Sequence, residues 1–252
     1  MAIYTFGSGT LWGVRTDVAN STPLKFGAIQ DVSLDFSASA KELYGQNQFP
    51  LAVARGKAKI SGKAKFAQIQ GDIFANLFFG ITPTTGQITT ANGEAQTVPA
   101  ATPWQVTVSN AATFVADWGV AYSASGLPLT KVASGPTAGQ YSVSATGVYT
   151  FSTGDANAAV LISYTYSIAA SGQKLVMSNP LLGVQPTFQV ALTTLYNGPS
   201  GQKNATLTLN ACISNKLSFA TKIDDFAVPE LDFEAFADGS GNLFTWSFNE
   251  VS

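Results

Sequence analysis

Ser61 and Lys63, two apart in a strand-like run, and the adjacent carboxylates Asp224 and Asp225 are the short pairs in this chain that could do chemistry. The first would be a serine nucleophile with a lysine base, the second a pair for general acid–base work. No other motif converges on either pair. Histidine is absent, which removes the commonest general base near neutral pH, the commonest metal ligand and the usual partner of a Ser or Cys nucleophile. Cys212 is the single cysteine, so an internal disulfide is excluded and a reducing compartment is expected. Asp238-Gly239-Ser240-Gly241-Asn242 has part of the pattern of a calcium loop. Positions 244–249 add no carboxylate, so the run reads as a hairpin turn. Gly7, Gly9 and Gly13 lack dinucleotide-binding spacing. The expectation is a chain that is not an enzyme, with no catalytic residue, cofactor or metal site.

Recognition chemistry is far richer. Arg55, Lys57, Lys59, Ser61, Lys63 and Lys65 alternate with Gly56, Ala58, Ile60, Gly62 and Ala64. Glu230, Asp232 and Glu234, followed by Asp238, repeat the pattern with the sign reversed, around Leu231, Phe233 and Ala235. Period two places alternate side chains on opposite faces of a strand. Each run is therefore a strand with one charged face and one apolar or small face. The lysines face either the acidic ladder of the same subunit or that of a neighbour, at roughly 0.2–1 kcal/mol per cross-strand pair. Phosphate binding is disfavoured, because neither interleaved aromatics nor a basic domain accompanies the strand.

The elements that must position these ladders are mainly β. β-Branched and aromatic residues alternate in short runs broken by Gly, Pro and Asn. One amphipathic helix is expected over 66–79, with Phe66, Ile69, Ile73, Phe74, Leu77 and Phe78 on one face and Gly80 as its stop. It reads as a lid across a sheet. Only 11% of residues are charged, against a typical ~25%, so the surface is weakly protected from self-association. The net charge of −2 points away from nucleic-acid binding. No secretory signal and no apolar run of about 18 residues is visible. Between Gly93 and Gly172 only Glu94, Asp117, Lys131 and Asp155 carry charge. That stretch reads as an immunoglobulin-like β domain, 93–173, inserted into a parent of 1–92 plus 174–252. Trp104, Trp118, Tyr122 and Tyr141 could form a sugar platform within it. A long arm, 38–54, joins two parent strands and carries Lys41, Leu43, Tyr44 and Phe49 towards its tip. Exposed apolar side chains on such an arm are a liability in a monomer and useful in an assembly.

Asp31-Val32-Ser33-Leu34-Asp35-Phe36, the arm Lys41-Glu42-Leu43-Tyr44-Gly45 through Phe49-Pro50, the Gly56-Lys57-Ala58-Lys59 strand leading to the helix, and 225–236 together resemble the major tail tube proteins of tailed bacteriophages. The resemblance covers the two flanks. It implies a β-sandwich or barrel with a flanking helix, assembled in hexameric rings that stack into a hollow tube in the virion tail, made in the host bacterial cytoplasm. The implied partners are further copies of itself, a tape-measure protein housed in the tube, tail terminator and baseplate proteins, and DNA that passes without specific binding. No membrane span is implied. Lys41, Leu43, Tyr44, Phe49, Arg55, Lys57, Lys59, Lys63 and Lys65 would form the contacts between subunits and rings. Asp31, Asp35, Glu230, Asp232 and Glu234 are the lumen-facing candidates, repelling DNA from the wall. The inserted domain would face outward. The alternative is a virion fibre or adhesin module that binds cell-surface glycans.

Overall fold

The computed structural model describes residues 4–5, 7–68, 70–198, 201–221 and 223–248. The chain is mainly β and divides into two compact units, 1–83 with 175–252, and 84–174. In order the elements are β1 (Tyr4–Thr5), β2 (Thr10–Arg15), β3 (Leu24–Lys25), β4 (Ile29–Tyr44), β5 (Pro50–Phe66) and the helix α1 (Gly71–Ile73), which continues as a π-helical segment, Phe74–Phe79. The second unit holds β6 (Thr84–Thr97), β7 (Gln105–Thr107), β8 (Phe114–Tyr122), β9 (Thr130–Lys131), β10 (Gln140–Val143), β11 (Val148–Thr150) and β12 (Ala159–Lys174). The first unit resumes with β13 (Phe188–Gly198), β14 (Gly201–Ser218), β15 (Glu230–Phe236) and β16 (Phe244–Phe248).

The described strands of the first unit form one antiparallel sheet in the order β3-β2-β13-β14-β15-β5-β4, with β1 beside β13 and β16 beside β14. β3 and β4 are its two ends, so the expected barrel is not closed within one chain. Alternation works as expected in β5: Ile60, Ala64 and Phe66 are buried while Ser61, Lys63 and Lys65 face the other way. Ile60, Ala64 and Phe66 meet Leu11, Phe188, Leu209, Leu231 and Phe233 in one core, and Ile73 and Leu77 cover it from the helix. Gly62 belongs to the same face because Phe233 needs its space. A Cβ there would lie 2.2 Å from Phe233 Cε2 and 2.8 Å from Leu34 Cδ2. Overpacking of this kind costs about 2 kcal/mol, so Gly62→Val is expected to lower the stability of the first unit by that amount, read by hydrogen exchange across β5 and β15 in urea.

The helix starts later than expected. Phe66 still donates its N–H to Pro229 O (3.2 Å) and Ala67 to Ala28 O (2.9 Å), which holds the chain extended beyond the end of β5. Phe66 is buried as a strand residue, and Ile69 lies outside the described residues. Gly80 ends the helix as read, at φ +69°. Arg15 then donates to Gly80 O (3.0 Å) while pairing with Asp17 (2.6 Å), a cation at a helix C-terminus.

The second unit begins at Thr84 rather than 93, because β6 pairs with β12 over almost its whole length. It is a two-sheet sandwich, β7-β11-β10-β9 and β6-β12-β8, around a core that includes Val98, Val106, Val120, Tyr149, Val160 and Ile162. The two-sheet sandwich expected of an immunoglobulin-like domain is present, with a strand pairing of its own. In that fold the first and last strands lie in different sheets, whereas here β6 and β12 are neighbours. An insert whose two ends return to one parent needs them side by side, and this pairing supplies that.

Candidate functional site: a charged sheet face and an exposed arm

β4, β5 and β15 bring both ladders onto one face of the first unit's sheet. The register sets Asp31 opposite Lys65 and Lys65 opposite Glu230, then Ser33, Lys63 and Asp232, then Asp35, Ser61 and Glu234. Lys63 Nζ lies 2.9 Å from Glu230 Oε1 and 3.9 Å from Asp232 Oδ1. Lys65 Nζ is 4.0 Å from Glu230, and Lys59 Nζ is 2.7 Å from Glu234. The lysines of this face therefore find partners inside their own chain. The Glu230 hydrogen bond, with the charges of Asp232 and Asp31 beside it, raises the Lys63 pKa and keeps the amine protonated. Ser61 thus lacks the neutral amine that a base would require. Glu230 in turn is held below the usual glutamate range, first by Lys63.

Lys216 was invisible to the sequence reading. It reaches Glu230 (3.3 Å) and Asp232 (3.8 Å) from β14. A bulge between Ser214 and Lys216 shifts the register by one residue, so Lys216 stands opposite Asp232 and not opposite Leu231. A one-residue shift exchanges the faces. Asn215, the extra residue, donates to Glu234 (2.7 Å). Pairs with half-exposed lysines contribute little each. As a grid they penalise the wrong register of β5 on β15 more than they stabilise the right one.

The expected loop of the arm is a β-ribbon. β4 and β5 stay paired out to Tyr44 and Pro50, with only 45–49 left as the tip. Beyond Phe36 the β4 side of this ribbon is exposed throughout. Lys41, Leu43, Tyr44, Arg55 and Lys57 all lie on it, exposed or half-exposed, and Phe49 at the tip is 81% exposed. The Tyr44 hydroxyl donates to Glu42. Leu51 and Val53, not singled out in the sequence, are exposed there as well.

The core face is not fully covered either. The helix packs on the part lined by Leu11, Phe66 and Phe188. Farther along, Phe244, Trp246 and Phe248 of β16 lie exposed in one row opposite Leu209, Leu207 and Ala205, and Phe36 packs edge-on against Phe244 at 5.5 Å. Leu243 to Phe248 was legible as a strand, but its exposure was not. Asp224 and Asp225 are exposed in the segment between β14 and β15. Asp238 accepts the N–H groups of Ser240 (2.9 Å) and Asn242 (2.8 Å), which closes a tight turn. It is not the hairpin read from sequence, because β15 and β16 both pair with β14 and follow one another along it in the same direction.

In the second unit the sugar-platform aromatics are not brought to one exposed face. Tyr141 is buried and donates to Asp117, Tyr122 donates to Asp155, Trp104 is half-buried and Trp118 is exposed. No protein-family model matches the chain, and no curated protein matches it.

Proposed function

We propose that this chain is a structural virion protein, a tail tube subunit whose copies form hexameric rings stacked into a hollow tube. The observation that carries the reading is the long β-ribbon with Leu43, Tyr44, Phe49, Leu51 and Val53 exposed, projecting from a sheet whose apolar face is only part-covered. Contiguous exposed apolar surface of this kind marks an interaction site. An unpaired edge strand such as β4 is a template for a neighbouring chain. Under this reading the tube houses a tape-measure protein, meets terminator and baseplate proteins at its ends and passes DNA without specific binding. No catalytic role falls to the charged face.

The shared face of β4, β5 and β15 is the proposed channel wall. Lys59, Lys63, Lys65 and Lys216 set four positive charges against Glu230, Asp232, Glu234, Asp31 and Asp35, a net of −1, and Asp31 and Asp35 make no ion pair among the described residues. Purified protein is expected to show six-fold rings or tubes by electron microscopy. Monomers or trimers at every concentration, together with signal on a glycan array, would favour the adhesin class.

A further inference from the structure

Two exposed surfaces of the first unit complement each other and do not meet within one chain. One is an apolar groove of about 510 Å³ between the arm and β16, lined by Phe36, Ala58, Ile60, Ala235, Phe244 and Arg55. The other is the segment between β14 and β15, where Ile223 is 92% and Phe226 is 90% exposed. Side chains of this size so fully in water are not held by their own chain. Arg55 in the groove and Asp224 on the segment are opposite charges, and neither makes an ion pair among the described residues.

We infer that residues 223–226 of one copy seat in this groove of the next, Phe226 and Ile223 against Phe36 and Phe244, with Asp224 facing Arg55. The contact rests on the tube reading and specifies it. The segment enters β15 at Glu230, opposite Lys65, while the groove centres on Ile60. Five residues of strand, roughly 17 Å, separate the centre of the groove from the point where the segment joins the sheet. A contact between two different surfaces displaced along the sheet is heterologous. Unless its rotation closes a ring it repeats from copy to copy, which is the geometry that stacking requires.

The test uses the full chain and measures the lowest protein concentration that gives sedimenting particles. Phe226→Ser and Arg55→Glu are each expected to raise it by about tenfold or more, the effect of removing one well-buried anchor. Thermal unfolding of the unassembled chain should stay unchanged, since both residues are exposed. The exchange Arg55→Glu with Asp224→Arg should restore assembly. Wild-type particles with Phe226→Ser and Arg55→Glu behaving as wild type would overturn this contact and leave the tube reading standing. An exchange that fails to restore assembly would also overturn it. A wild-type chain that never assembles would overturn both.

Discussion

Asp117→Ala will destabilise the second unit by about 4 kcal/mol. The Asp117 carboxylate is 4% exposed and accepts from Tyr141 OH (2.9 Å), Tyr149 OH (2.9 Å) and Gly119 N–H (3.0 Å), with Lys131 Nζ at 3.0 Å. Removing it leaves two buried phenol hydroxyls without an acceptor, at about 1–3 kcal/mol each, besides the lost ion pair. Asp117→Asn keeps one carbonyl acceptor and should cost about half as much. The readout is hydrogen exchange of 114–122 and 141–151 in urea, which separates the second unit from the first. Equal protection in all three proteins would show that the acid contributes nothing.

The same network fixes a pH dependence. Burial opposes ionisation of Asp117, but Lys131, the Gly119 N–H and the two tyrosines outweigh it and hold the pKa below the usual aspartate value of 3.8. Glu94, bonded by Tyr164 OH (2.6 Å), Gln96 and Ser109, is likewise held below 4.5. A depressed carboxylate contributes stability that is complete above its unfolded pKa and disappears as pH falls through the folded one. The wild-type second unit should therefore keep the contribution of these two acids down to about pH 4.5 and lose that contribution progressively below it, with a shallower loss in Asp117→Asn. The tyrosine pKa values move the other way. Burial and Asp117 push Tyr141 and Tyr149 up, so they stay neutral donors.

The parts of this fold that were legible in the sequence share one property, an uninterrupted period of two. β5 from Lys57 to Lys65 and β15 from Glu230 to Ala235 keep their phase, and their charged and buried faces fall where alternation puts them. Lys216 was hidden because the bulge at Asn215 changes phase inside β14, and nothing local marks a bulge at an ordinary polar residue. The arm looked like a loop because Ser37 to Ala40 and Leu51 to Ala54 are small or apolar on both faces, without alternation to announce a ladder. β6 was cut at Gly93 by composition, whereas its limit is set by pairing with β12, a contact with no local signature. Asp117 and Asp155 read as stray charges in a neutral stretch. Their tyrosine donors come from other strands of the sandwich, and long-range pairing of that kind leaves no spacing to read.

Replacing Leu43, Phe49 and Leu51 together by aspartate is expected to abolish assembly while leaving the chain folded. The three side chains are exposed in the single subunit, so their loss should change its stability by no more than about 0.5 kcal/mol each. If they are buried between copies, each contributes about 1.5–3 kcal/mol to association. The sum, about 5 kcal/mol at the lower end, is more than a thousandfold in the concentration needed to assemble. Charge repulsion between unpaired aspartates in an apolar seat adds to this. Sedimentation and electron microscopy read the assembly, and circular dichroism of the unassembled chain reads the fold. A variant that melts like wild type but forms no particles places the ribbon between subunits. A variant that forms tubes at wild-type concentration would show that the ribbon's apolar side chains stay in solvent in the particle. The contacts that hold it would then have to come from the other surfaces of the first unit, the β4 edge and the groove beside β16 with its segment 223–226.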